Sequence, residues 1–462
     1  MKNIQIFTII FIINLCMSLK TIIAQISLKV DYVTIEGLEY FKSHNFSSNN
    51  PNPALKSINS TASIALKNDS PYSVMNTTVT PPNGNKREYI SYAPYLWPSC
   101  KGIKNVTDPE TQCPYKPRDG LYNPDVRNLS DPVDSRNMVR DVLSLSIFYQ
   151  LHGDENFAEK AVQLLDTWFV NEETSMLPEV IYGQIKRGPG EWKGREEGIL
   201  DTRLYVYIPV AVRILEKSRA WNDNIDKGIR NWISDFSNWL MNSNLGKQAF
   251  KRSNNHATFY VAQLATYLEF SGRIDEARNL IRKFSETTFQ NMILKSGEQP
   301  MESKRTKPYH YQCFNLEALT YIALLSQKIN GTNLWEIRTK DGATIQNAVD
   351  YLIPLKNQDA GQEGEAILLP ALYKARDYYG DRSGKYANTI SKFLKTTNGA
   401  SEWWTIYSPK SLRDGNVKNS NGKSYNYDNY DSYSENSATS LFGTSLYAML
   451  SFGLGVFFVF LY

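Results

Sequence analysis

Hydrophobic positions recur at helical spacing through most of the middle of this chain. Val139, Val142, Leu143, Leu145, Ile147 and Phe148 form one apolar stripe that ends near Gly153. Phe157, Ala161, Leu164, Leu165 and Trp168 form the next. Stretches with the same period run over 203–217, 224–241, 257–270, 274–292, 312–328, 344–353 and 363–378. A period of about 3.6 predicts a helix at each. Polar turns such as Leu151-His152-Gly153-Asp154 and Ser271-Gly272-Arg273 join them. Strand-like alternation is scarce and is expected only near 86–97 and 400–410. A long series of helical hairpins in one domain predicts an all-α fold, an incomplete (α/α) toroid with minor strand content. Any fixed repeat is too faint for a strict short-repeat array.

The ends break this pattern. Lys2 precedes an apolar run, Ile4 to Met17, and Ala24 offers a small residue for cleavage. Residues 1–24 therefore read as a signal peptide, since the run falls short of the roughly 20 residues that span a bilayer. Residues 25–85 are polar and are expected to pack on the toroid as an irregular and partly helical segment. The toroid domain is expected over 86–415, followed by a polar spacer at 416–440. The tail at 441–462 is almost wholly apolar and has no basic residue after it. Small residues Ser434, Asn436, Ser437 and Ala438 precede it, which is the pattern of a GPI signal, with a tail-anchoring helix as the alternative. Either places the domain on the outer cell surface, tethered to a membrane.

Seven sequons agree with export: Asn45, Asn59, Asn68, Asn76, Asn105, Asn128 and Asn330. In an oxidising compartment Cys100 and Cys113 are expected to pair across a short loop, which stabilises by about 3 kcal/mol. Cys313 reads as a small buried apolar residue. Charge is mixed and close to balance, with Lys+Arg 51 against Asp+Glu 47. No basic block suggests nucleic acid, and no metal-ligand spacing or phosphate loop appears, so neither metal nor cofactor is expected. A monomer is expected.

The chain holds only four histidines, and two sit in clusters of chemistry-bearing residues. One cluster is Asn254-Asn255-His256. The other follows Glu298-Gln299-Pro300 and runs Arg305-Thr306-Lys307-Pro308-Tyr309-His310-Tyr311. Amide, imidazole, guanidinium and phenol together suit proton abstraction beside a carboxylate. An amide or imidazole N–H neutralises the carboxylate, a phenol or imidazole takes the proton, and a phenol returns one to the leaving oxygen. One Asn of the pair is expected to cap a helix. Tyr309 needs positive neighbours to act as a base, because a free phenol titrates near 10. His310 and Tyr311 compete with it, since adjacent side chains point in different directions. Glu191, Glu196, Glu197 and Asp201 are the acids that would serve the alternative, an inverting glycoside hydrolase, which needs two opposed carboxylates. A non-catalytic wall-binding protein is the third reading.

The two clusters resemble the signature of the alginate lyase domain family, secreted fungal-type branch, which has an α/α toroid fold. Further matches are Ser91-Tyr92-Ala93-Pro94-Tyr95-Leu96-Trp97-Pro98, Arg118-Asp119-Gly120 with Asn123-Pro124-Asp125, and Arg187-Gly188-Pro189-Gly190 with Gly198-Ile199-Leu200-Asp201. The resemblance covers about 85–390. It implies a polysaccharide lyase that acts by β-elimination on an acidic polysaccharide, alginate or a glucuronic acid polymer. It assigns Asn255 and His256 to the uronate carboxylate, Tyr309 to the proton, and Arg305 to the phenolate. Tyr95, Trp97, Asn254, Arg187, His310 and Tyr311 are then expected to contact substrate.

Overall fold

The computed structural model describes residues 28–44, 53–190, 192–357 and 364–394. The signal and tail segments, Asn45, Glu191 and the strand expected near 400–410 lie outside the described residues. Helices α1 (Ile35–His44) and α2 (Pro53–Leu66) come first, and α2 packs on α4 (Asp131–His152). A short α3 (Pro109–Gln112) lies between them in the chain. Hairpins then follow: α4 with α5 (Glu155–Leu165) and, after α6 (Ile208–Leu215), α7 (Asp223–Asn242) and a short α8 (Asn244–Phe250), α9 (Asn255–Phe270) with α10 (Ile274–Glu286). The series closes with a short α11 (Pro300–Ser303), α12 (Pro308–Lys328) with α13 (Ile345–Leu352), and α14 (Leu369–Tyr379) with α15 (Lys385–Leu394).

Burial separates inner helices from outer ones. Helix α9 is buried at every position from Ala257 to Leu268, and α12 at most positions from Tyr309 to Ser326. A helix buried all round must be enclosed by others. By contrast α10 buries only Ala277, Ile281, Phe284 and Ser285, a single stripe. It therefore forms outer wall, packed on α9, while α9 and α12 pack side by side inside. This is the layered ring of an α/α toroid.

Two boundaries differ from the hydrophobic pattern for identifiable reasons. Helix α4 starts at Asp131, well before the stripe, with a proline in its first turn where the missing N–H costs nothing. Its early buried positions include Asp131 and Ser135, which a hydrophobic reading passes over. It stops at Gly153, whose φ of 77° is the left-handed conformation that ends helices. Helix α12 likewise starts at Pro308 rather than at 312, which places Tyr309, His310 and Tyr311 in its first turn.

Four short strands sit at one end of the ring. Strand β1 (Ile90–Tyr92) pairs in parallel with β4 (Tyr182–Ile185), and β2 (Leu96–Pro98) pairs antiparallel with β3 (Tyr115–Pro117). The first of these pairs is fastened to the helices. The Ile90 N–H donates to Asp131 at 2.9 Å, and the Ser91 hydroxyl donates to Asp201 at 2.5 Å. A disulfide joins Cys100 to Cys113 beside β3, and Cys313 is buried and outside any disulfide among the described residues.

Arg187 corrects one sequence expectation. It is only 2% exposed and does not reach a substrate surface. Its guanidinium bridges Glu110 at 3.0 Å and Asp125 at 2.8 Å. It also lies between the rings of Tyr92 and Tyr115, at 4.1 and 4.7 Å from their centroids. The side chain locks the strand region together. Arg187→Ala is expected to cost about 2–3 kcal/mol, less than a fully buried pair because both acids keep some water. Thermal unfolding reads the loss, and KM of the folded fraction should stay near wild type.

Candidate active site

The starts of α9 and α12 are brought together by a buried polar network. The Gln299 N–H donates to Gln312 Oε1 at 3.1 Å, and Gln299 Nε2 donates to the Gln312 carbonyl at 3.1 Å. Asn315 Nδ2 donates to Gln299 Oε1 at 2.7 Å, and the Thr258 hydroxyl donates to Asn315 Oδ1 at 2.7 Å. Buried amides must be paired, so this chain fixes α9 against α12 at one register. The Glu298-Gln299-Pro300 turn is therefore an anchor for the two clusters.

Asn254 caps α9 by accepting from the His256 N–H at 3.3 Å, so its carbonyl oxygen is committed to the helix. Asn255 is buried and held by Glu302. Its main-chain N–H donates to Glu302 Oε1 and its Nδ2 to Oε2, both at 2.7 Å. Burial raises the Glu302 pKa, while the two Asn255 bonds and the Arg305 charge oppose that rise. The acid had no sequence signal of its own, because nothing in its spacing marks it as a partner of an asparagine 47 positions earlier.

His256 is half-buried, and its Nδ1 has no partner among the described residues. Its pKa is lowered to about 3, first by burial and then by the charges of Arg252, Arg305 and Arg195. The imidazole is thus neutral at physiological pH. Carboxylates anchor all three arginines. Arg252 pairs with Glu196 and lies 3.6 Å from Glu197, Arg195 pairs with Glu197, and Arg305 pairs with Asp119 at 2.6 Å.

The phenols divide sharply. In a helix residues two positions apart are rotated by about 200°, so Tyr309 and Tyr311 face opposite ways. Tyr309 is 3% exposed, and its hydroxyl donates to the Glu365 carbonyl at 3.2 Å. Burial pushes its pKa up, and Cys313 and Glu365 push it further. Among the described residues no arginine is among the groups that shift it. Tyr311 instead lies under Arg305, with the guanidinium 3.8 Å from the ring centroid. Its hydroxyl donates to that of Tyr95 at 3.4 Å. Burial and the Tyr95 contact raise its pKa, and Arg305 pulls it down. The geometry thus groups Asn255, His256, Arg305, Tyr311 and Tyr95 and leaves Tyr309 outside.

The remaining candidates lie around this group. His310 stacks on Phe314 and meets Tyr311 edge-on, 5.4 Å between centroids. Trp97 is partly exposed, donates to the Leu121 carbonyl at 2.9 Å, and has Arg118 over its indole at 5.5 Å. Of the acids considered for a hydrolase, the three described ones are committed elsewhere. Asp201 accepts from Tyr89, Ser91 and Gln184, and Glu196 and Glu197 are ion-paired. Among the described residues no group of three or more His, Cys, Asp or Glu is placed to hold a metal ion.

The family model for alginate lyase matches residues 73–361. The crystal structure of an alginate lyase from Bacteroides ovatus superposes with a TM-score of 0.73 at 28% identity, covering 83% of this chain and 100% of that one. A more distant similarity is to an alginate lyase from a Sphingomonas species, with a TM-score of 0.43 at 15% identity over 70% of this chain and 77% of that one. No curated protein matches. The family match spans more than half of the sequence and includes both clusters, so the chain belongs to the alginate lyase family and is a polysaccharide lyase.

Proposed function

We propose that this lyase cleaves a uronic acid polymer, alginate or a glucuronic acid polymer, and that Tyr311 moves the proton. The carrying observation is the stack of Arg305 on Tyr311, 3.8 Å from the ring centroid. Tyr311 takes the proton from the carbon beside the carboxylate, and that carbon's electron pair forms the new double bond. The bond to the glycosidic oxygen breaks, and the phenol returns a proton to that oxygen. On a syn substrate one phenol serves both steps. Asn255 and His256 supply N–H groups to the carboxylate, whose charge otherwise makes the neighbouring proton too weakly acidic. Arg305 stabilises the phenolate. Purified protein incubated with a panel of uronans should release product with the ultraviolet absorbance of an unsaturated uronate. New reducing ends without that absorbance would instead indicate hydrolysis.

We also propose export and tethering at the outer cell surface. The sequence patterns at both ends support this, and so do the sequons. Asn76, Asn105, Asn128 and Asn330 are exposed, and Asn59 and Asn68 partly so. Among the described residues no helix is long and apolar enough to cross a membrane. Release from cells by a phosphatidylinositol-specific phospholipase tests the lipid tether, and retention after that treatment would favour a tail-anchoring helix.

A further inference from the structure

We infer that Asp119 is a positioning residue for the reaction, holding the Arg305 guanidinium over the Tyr311 ring. This rests on the lyase reading above. Asp119 lies in the loop between β3 and the turn at Pro124–Asn128, in the strand region rather than in the helical ring. Its carboxylate takes both sides of the guanidinium, accepting from Nε at 3.1 Å and from Nη2 at 2.6 Å. It also accepts from the Thr306 N–H and hydroxyl, each at 3.2 Å. Four bonds to two consecutive residues fix the guanidinium in position and in plane. A bidentate pair of this kind sets orientation as well as distance. The Arg305 bond and the Thr306 contacts hold the Asp119 carboxyl at about 2, so it is ionised at any working pH.

The loop is built to make this approach. Gly120 has a φ of 74°, and a Cβ there would stand 2.4 Å from the Thr306 hydroxyl. Only glycine lets the loop lie so close to the Arg305 segment. The base of the loop is braced by the β2–β3 pairing, the Cys100–Cys113 disulfide and the Arg187 clamp on Asp125. Rigidity from the strand region is thus delivered to a guanidinium that belongs to the ring.

Two opposing effects make the inference testable. The groups acting on the Tyr311 hydroxyl are Tyr95, Arg305 and Asp119, and of these only Arg305 lowers its pKa. If Asp119 acted only as a negative charge, Asp119→Asn would make phenolate easier to form and move the rising limb of the pH–rate profile to lower pH. If it holds Arg305 in place, the freed guanidinium leaves the ring. The rising limb then moves to higher pH and kcat falls by about 100-fold, as a small misplacement of a catalytic group does. Asp119→Glu, which keeps the fork, should recover a measurable part of that loss.

The experiment pairs pH profiles of wild type, Asp119→Asn and Asp119→Glu with a crystal structure of Asp119→Asn. Displacement of Arg305 from the Tyr311 ring, with a limb shifted to higher pH, is the expected result. Arg305 still stacked on Tyr311, or a limb that is unmoved or shifted to lower pH, overturns the inference. The crystal structure decides the positioning claim even if wild type yields no unsaturated product, an outcome that would instead refute the lyase assignment.

Discussion

Tyr311→Phe is expected to abolish turnover, by about 10²–10⁴-fold, while Tyr309→Phe keeps most of it. The two substitutions remove the same atom from residues two positions apart, so their contrast isolates where the phenol points. At Tyr311 the lost oxygen is the one that lies next to Tyr95 on the ring covered by Arg305. The ring remains, so the Arg305 stack and the fold should survive, and oligosaccharide binding should stay near wild type. At Tyr309 the lost oxygen donates to the Glu365 carbonyl and meets the Cys313 side chain, so the expected cost is about 1 kcal/mol of stability. Steady-state rates with circular dichroism on both variants decide it. A dead Tyr309→Phe beside an active Tyr311→Phe would place the chemistry on the opposite face of α12, where no arginine is available to stabilise a phenolate.

That contrast also shows what the sequence could and could not carry. The clusters Asn254-Asn255-His256 and Arg305 to Tyr311 are visible because amide, imidazole, guanidinium and phenol are rarely this dense by chance. The order of helices is visible because each buries a stripe or a whole surface. The choice of phenol is not visible, because it depends on whether α12 begins at Pro308 or at 312, and helix starts are the weakest part of a periodicity reading. A turn would have let Arg305 fold back to Tyr309. A helix turns Tyr309 toward Cys313 and leaves Tyr311 beneath Arg305. Arg187 was misjudged for the converse reason. Its Gly-rich surroundings suggest an open loop, whereas its partners Glu110, Asp125, Tyr92 and Tyr115 come from three separate stretches of chain.

The residues whose partners the sequence does not reveal are acids that face other protein groups. Glu302 orients the Asn255 amide and Asp119 orients the Arg305 guanidinium. Each uses both oxygens, and each reaches its partner across a long gap in sequence. Carboxylates near a catalytic centre suggest acid–base work when read from sequence alone. Here their geometry commits them to holding nitrogen donors, which explains why a lyase site can be rich in acids without the opposed pair that a hydrolase requires.

His256→Ala should lower kcat by about 10²–10³-fold, the usual loss for one donor aimed at developing negative charge. The argument turns on the protonation state. With its pKa lowered from 6.5 to about 3, the free enzyme carries a neutral imidazole throughout the working range. His256 therefore places no inflection near 6.5 on kcat/KM, which reports the free enzyme. A bound uronate carboxylate is the opposite charge that burial and the three arginines deny it, and it raises the imidazole pKa in the complex. Below the rising limb that Tyr311 sets, kcat, which reports the complex, should then carry a further step from His256 that kcat/KM lacks. His256→Gln keeps an N–H donor but cannot titrate, so in that variant the further step should be absent. Stability follows the same sign. Because the folded pKa is the lower one, the contribution is present above about 6.5 and is lost as pH falls toward about 3, so the variant should unfold with a flatter acid slope. An inflection near 6.5 in wild-type kcat/KM that disappears in His256→Gln would mean that the imidazole titrates freely, and the carboxylate would then have to be met by a cation rather than by neutral N–H donors.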